Sequence, residues 1–172
     1  QGEPFEERKI SIMKINEHYG FIWGCGVIYN FMDAYYQGGN PSARQAAWTL
    51  ARSIGSALVN GPFSLKMFEK FEAEVTVNGK RWPLSNYSAI YAGSVEYLGL
   101  SFRVFYLARQ NGCFHATGFS LLPRQVLPYV PHMFLGRPSG CPHLVEEAAQ
   151  EMIVRLASPR GYTIDGDMQP PT

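Results

Sequence analysis

The sequence predicts a single α+β domain over residues 1–172, mainly β, with many antiparallel strands and a few inserted helices. Three observations lead there. The 172 residues, 46% hydrophobic and 17% charged, suit one globular unit with a core of its own, and neither a repeat nor a glycine- and serine-rich linker divides them. Phe71, Ala73, Val75 and Val77 alternate with Glu72, Glu74 and Thr76 and run into Asn78-Gly79, the pattern of a half-buried strand entering a two-residue hairpin. Only one long stretch, residues 41 to 59, carries a clear helical period.

Taken in order, "ISIMKI" (10 to 15) and "FIWGCGVIY" read as a two-strand hairpin punctuated by Asn16 to Gly20. Gly24 and Gly26 inside the second strand mark a bulge or the close approach of another backbone or a ligand, with tight packing under a neighbouring helix as the plainer alternative. The helix at 41 to 59 takes Asn40 as N-cap and Pro41 in its first turn. It would bury Ala47, Leu50, Ala51, Ile54, Ala57 and Leu58, and Asn60-Gly61-Pro62 end it. Further strands are expected at 87 to 93, 100 to 108 and 113 to 119, the last two joined at Asn111-Gly112. Pro123, Pro128 and Pro131 break 121 to 135 into short helical pieces. "CPHLVEEAAQ" reads as one more short helix, and "EMIVRLAS" and "YTIDGD" as closing strands, with the two acids delivered to a sheet edge.

Composition excludes several classes. A net charge of +1 and a pI of about 7.9 ask for neither nucleic acid nor an acidic substrate. Cys25, Cys113 and Cys141 are odd in number and far apart, which speaks against a disulfide framework or a zinc site and for a reducing compartment. His18, His115, His132 and His143 form no ligand pair, so they are read as surface or packing residues. The longest apolar run is interrupted by glycines and is too short to span a bilayer. The chain starts at Gln1 without a signal-peptide layout, which suggests a piece of a longer protein or, equally in appearance, a processed or tag-trimmed chain.

The nucleotide and hydrolase motifs are absent. "GCGVIY" lacks the third glycine of a dinucleotide fingerprint, and neither a GxxxxGK[ST] loop nor a GxSxG elbow occurs. "DGDMQPPT" begins like a calcium loop but ends before the required twelfth position, so no metal site is assigned. On local grounds Asp165-Gly166 is a type I′ or related turn with both acids solvated. Gly93, Ser94, Tyr97 and Gly99 follow a strand in a loop that would let something approach its backbone. Ten Tyr, eleven Phe and three Trp would suit an apolar cavity for a lipid tail or, equally, a dry core.

In their order, these pieces resemble the carboxy-terminal domain of the diacylglycerol kinase, sphingosine kinase and YegS-like lipid kinase family. "KISIMKINEHYGFIWGCGV" is similar to the family's hairpin that leads into a helix. "AGSVEYLGLSFRVFYLA" resembles its YxGGGFxLAP-like segment through Gly93, Tyr97, Gly99, Phe102, Leu107 and Ala108. "RQNGCFHA" matches its DDGxLD-like turn in part, and "YTIDGD" resembles its DGE-ended strand. The likeness covers residues 9 to 168. It implies a two-sheet antiparallel β-sandwich with a few peripheral helices, the lipid-binding half of an ATP-dependent kinase acting on a hydroxyl of diacylglycerol, a sphingoid base or a similar lipid.

By the same resemblance Asp165 and Asp167 would be catalytic and Gly166 cofactor-binding beside the nucleotide phosphates. Gly93, Ser94, Tyr97 and Gly99 would contact substrate, with 41 to 59 and 121 to 138 gating the pocket. The departures are Asp167 for the usual Glu, Ser94 for the usual Asn, and neutral Gln110 and Asn111 where some bacterial members bind an accessory magnesium. The GGDGT motif of the family's nucleotide domain is absent. ATP and Mg²⁺ are therefore expected in the full-length protein and not on this chain alone, which should be inactive by itself. The expected partners are a lipid and an amino-terminal nucleotide-binding domain, without nucleic acid. The expected location is cytoplasmic, with room for peripheral membrane contact. The alternative is a non-catalytic apolar-ligand-binding or regulatory module derived from such a kinase.

Overall fold

The computed structural model describes residues 10–38, 42–98, 102–110 and 112–171. The elements are β1 (Met13–Ile15), β2 (His18–Gly20), β3 (Ile22–Gly26), α1 (Val27–Gln37), α2 (Ala43–Leu58), α3 (Pro62–Met67), β4 (Phe71–Val77), β5 (Lys80–Arg81), β6 (Asn86–Tyr87) and β7 (Ala89–Gly93). They continue with β8 (Phe114–Phe119), α4 (Pro123–Val126), α5 (Val130–Leu135), β9 (Leu144–Ala149), β10 (Met152–Leu156), β11 (Tyr162–Ile164) and β12 (Asp167–Gln169). Single 3₁₀ turns lie at Tyr106–Arg109 and Leu127–Tyr129.

Two antiparallel sheets face each other, as the resemblance implied. One has six strands in the order β12-β11-β3-β7-β8-β9; the other joins β10, β4 and β5, with β6 also on β4. The alternation in β4 does what the sequence asked of it: Phe71, Ala73, Val75 and Val77 are all buried. They pack with Cys25, Ile90, Ala116 and Tyr162 from the six-stranded sheet. Each fully buried valine stabilises the sandwich by about 2 kcal/mol. Asn78 and Gly79 both take positive φ, the geometry of the expected hairpin turn. The Asn78 side chain then ties the two sheets together, donating to the Ala148 carbonyl (3.0 Å) and accepting from the Gln150 amide (2.9 Å).

The other face of the six-stranded sheet lies under the helices, where Tyr91, Phe105, Phe119, Leu121 and Val126 form a second core. Three elements here correct the sequence reading. The apolar run after Phe21 is not one strand: it turns at Gly26, whose φ is +68°, and Val27 to Gln37 form α1. A Cβ at Gly26 would collide with the Ser88 carbonyl, and one at Gly24 would meet Ile28 at 2.8 Å, so these glycines serve packing against a helix and a neighbouring strand. Residues 102 to 109 are not a strand either. Leu98 and Phe102 form one bridge, Val104-Phe105 turn, and the 3₁₀ turn follows. The alternating apolar residues of that stretch are buried by tucking under the sheet; a Cβ at Gly93 would meet the Phe105 ring at 2.6 Å.

The third correction is β9, which lies in the stretch "CPHLVEEAAQ" that reads as a short helix in sequence. It pairs with β8 over six residues, Phe114↔Ala149 to Phe119↔Leu144. Its two acids point to opposite faces, each with a partner. Glu147 accepts from Trp82 Nε1 at 2.6 Å, while Glu146 lies 3.4 Å from His115 Nε2. Both faces are thus polar in sequence and half-buried in fact, which hides the period of two.

The helix expected at 41 to 59 is present as α2, with Ser42 as the observed N-cap, its side chain accepting from the Gln45 amide at 3.1 Å. Asn40 and Pro41 lie outside the described residues. The helix is rotated from the expected orientation: Thr49 and Ala57 are buried with Ser53 half-buried between them, while Ala47, Ala51 and Leu58 face out. The proline-broken pieces at 123 to 135 and the closing strands β10 and β11 stand as read.

Candidate functional site

The acidic turn and the Gly93 loop, seventy residues apart in sequence, meet at one end of the six-stranded sheet. Register brings them there: Trp23 pairs with Ile164, and Ile22 with Gly93. The strand start at Phe21 and Ile22 therefore lies between the end of β11 and the end of β7. Asp165 (φ +51°) and Gly166 (φ +94°) form the turn into β12.

The Asp165 carboxylate is already engaged. Its Oδ1 accepts from the Phe21 amide at 2.9 Å and the Ile22 amide at 2.8 Å, and its own amide donates to the Ile22 carbonyl at 2.9 Å. On the other side of the same strand, the Phe21 carbonyl accepts from the Ser94 amide at 2.9 Å. One short stretch of backbone thus couples Asp165 to Ser94. Gly20 makes this possible, because a Cβ there would strike the Ile164 side chain and come within 3.0 Å of Asp165 Oδ2. The turn predicted from the sequence is present, and the carboxylate of its exposed Asp165 also anchors backbone.

Asp167 is exposed, and its carboxylate makes no hydrogen bond or ion pair among the described residues. The Gly166 carbonyl accepts from Tyr36 of α1 at 3.3 Å. Tyr97 is exposed at the loop tip, with the Arg103 guanidinium 5.7 Å from its ring centre. Gly99 and Asn111 lie outside the described residues. Among the described residues no three His, Cys, Asp or Glu side chains converge as a metal site would require.

Sequence reasoning missed the residue that holds the loop. Glu96 is buried, and its carboxylate accepts from Arg109 Nε (2.5 Å) and from the Nη2 atoms of Arg103 and Arg109 (3.1 Å each). Its carbonyl also accepts from the Phe105 amide at 3.2 Å. A signal for it existed: Glu96 is the only acid between Glu74 and Glu146. A lone carboxylate with two arginines following it suggests a pinned excursion rather than a solvated face.

Behind this end of the sheet lies a cavity of about 270 Å³ between the two sheets. Trp23, Ala92, Phe114 and Tyr162 wall it on one side and Met152, Val154 and Leu156 on the other, with the β1 hairpin (Met13 to Asn16) along it. The polar groups among its lining residues are Lys14, Asn16, Gln150 and Glu151. No described residue of 41 to 59 or 121 to 138 lines it. The expected gates lie instead on the helical side of the six-stranded sheet, so they do not guard this cavity.

This arrangement defines a helix-covered antiparallel sandwich whose loops converge at one sheet end over an intersheet cavity. That fold recurs in solved structures. A candidate diacylglycerol kinase from Bacillus anthracis strain Sterne superposes with a TM-score of 0.65 at 15% identity, over 95% of this chain and 53% of that one. A diacylglycerol kinase from the same strain gives 0.61 at 13% identity, over 95% and 48%. The likeness is one of fold, and the chain spans about half the length of the proteins it matches. No family model and no curated protein sequence matches the chain.

Proposed function

We propose that this chain is the lipid-binding half of an ATP-dependent lipid kinase. The observation that carries the reading is the cavity between the sheets, set against the same sheet end as the Asp165 to Asp167 turn and the Ser94 loop. An acyl or sphingoid tail occupies the apolar walls, and the acceptor hydroxyl emerges toward Asp167. Asp165 positions the turn through the Phe21 and Ile22 amides, and Asp167 is the carboxylate left to take the proton of that hydroxyl. ATP and Mg²⁺ belong with a nucleotide-binding domain of the whole protein, which closes over this sheet end. The diacylglycerol kinase-like fold supports the class, and the half-length coverage of those proteins supports a second domain.

The reading is tested by native mass spectrometry of the chain purified from cells, followed by addition of dioctanoylglycerol or sphingosine. A bound lipid supports it. A folded, empty protein that takes up neither probe overturns it. The alternative, a non-catalytic lipid-binding or regulatory module, is favoured by the engagement of Asp165. It predicts lipid binding with no change in turnover when Asp167→Asn is made in the protein that carries both domains.

A further inference from the structure

The first hairpin belongs to neither sheet. Strands β1 and β2 pair with each other, in the register Met13↔Gly20 to Ile15↔His18, and among the described residues no third strand joins them. A two-stranded ribbon is marginal by itself and keeps its place through what its side chains touch. Here one face is held. Met13 is buried and Ile15 packs, half-buried, against the intersheet core, while Ile12 and Tyr19 face out, 53% and 63% exposed.

That face is set over the cavity, which Met13, Lys14, Ile15 and Asn16 line in succession. The two sheets supply the apolar walls. The charged and amide side chains of the lining come from the hairpin (Lys14, Asn16) and from the connection between β9 and β10 (Gln150, Glu151). All four are exposed, so the rim of the cavity runs between the hairpin and that connection. At its other end the hairpin is tied to the fixed sheet. Directly after Gly20, the Phe21 and Ile22 amides donate to the Asp165 carboxylate at 2.9 and 2.8 Å. Gly20, with no Cβ to restrict its backbone, is the last residue before that clamp.

We infer that the β1-β2 hairpin is a lid on the intersheet cavity, hinged at Gly20 and stopped by the Asp165 clamp. Opening lifts Ile15 and its neighbours off the core and bares the cavity, while both sheets and the clamp stay intact. Releasing the apolar contacts of Ile15 and part of those of Met13 makes the open form roughly a hundred- to thousandfold rarer than the closed one, and far commoner than global unfolding. The clamp gives the acidic turn a further use. The residue that fixes the pivot stands two positions before Asp167, so the lid and the turn share one support. The lid's use in admitting a lipid tail rests on the function proposed above; its existence does not.

The test is the labelling rate of a thiol placed in the cavity wall, Ala92→Cys in a Cys113→Ser background. The reagent is uncharged N-ethylmaleimide, and peptide mass spectrometry reads the introduced thiol beside buried Cys25 of the intersheet core. The introduced thiol should react roughly a hundred- to thousandfold more slowly than a free thiol and depend weakly on urea, whereas Cys25 should follow urea as global unfolding does. Ile15→Ala should speed the introduced thiol about tenfold. Leu121→Ala, in the core on the far face of the six-stranded sheet, and Asp165→Ala, on the fixed side of the hinge, should speed Cys25 and leave the introduced thiol's rate unchanged. Circular dichroism confirms that each variant is folded. A rate near that of a free thiol, a rate and urea dependence equal to those of Cys25, or indifference to Ile15→Ala overturns the lid. Acceleration by Asp165→Ala overturns the placement of its hinge. Dioctanoylglycerol added to the same assay should protect the introduced thiol. Local opening without that protection upholds the lid and counts against the lipid reading instead.

Discussion

Filling the intersheet cavity should separate ligand binding from folding. Ala92 sits on the inner face of β7, buried, among the residues that line the cavity. Ala92→Leu introduces three carbons into the 270 Å³ cavity and displaces about three methylenes of the tail. At about 0.8 kcal/mol per buried CH₂, the loss is about 2.4 kcal/mol, or roughly fifty-fold in affinity. The same substitution fills a void, so stability should hold or rise by about 1 kcal/mol. Trp23, in the cavity wall, reports binding through quenching by a bromine-labelled diacylglycerol, read in a Trp48→Phe background against the remaining emission of Trp82 in the intersheet core; urea denaturation reports stability. Unchanged quenching in a folded Ala92→Leu protein would refute the assignment of the tail to this cavity. A loss of several kcal/mol in stability would show that the space is not free to be filled.

Asp165→Ala should destabilise the fold by about 2–3 kcal/mol in urea, through two lost amide contacts and an alanine forced to positive φ, whereas Asp165→Asn should cost under about 1 kcal/mol. Equal effects would argue against the anchoring role. Glu96→Gln should cost about 2 kcal/mol, discounted from a fully buried pair because Arg103 and Arg109 are partly exposed, and should increase hydrogen exchange across 96 to 110 before the strands respond. Burial pushes the Cys25 thiol from its ordinary 9.0 and the Tyr87 phenol from 10.0, each up to about 12. Both hold their protons more tightly folded than unfolded, so stability is intact below about pH 9 and falls by a few kcal/mol as pH rises toward 12. The melting temperature against pH checks this, and Cys25 should resist alkylation at pH 8 until the protein unfolds.

The sequence by itself determined the features that rest on local chemistry. The β4 alternation, the Asn78-Gly79 and Asp165-Gly166 turns, the proline breaks after Leu121 and the existence of α2 each depend on neighbours within a few residues. So did the choice of the acidic turn and the Gly93 loop as candidate positions. Only the tertiary structure decided what contacts across the chain impose. Helix formers in 144 to 149 became a strand because β8 offers a six-residue ladder and partners for both acids. A strand-like stretch at 102 to 109 became an excursion because Glu96 clasps two arginines and Phe105 fills the space beneath a glycine. The role of Asp165 changed likewise. Its carboxylate is fixed by two amides 143 and 144 residues away, and a pairing that distant leaves no trace in local spacing.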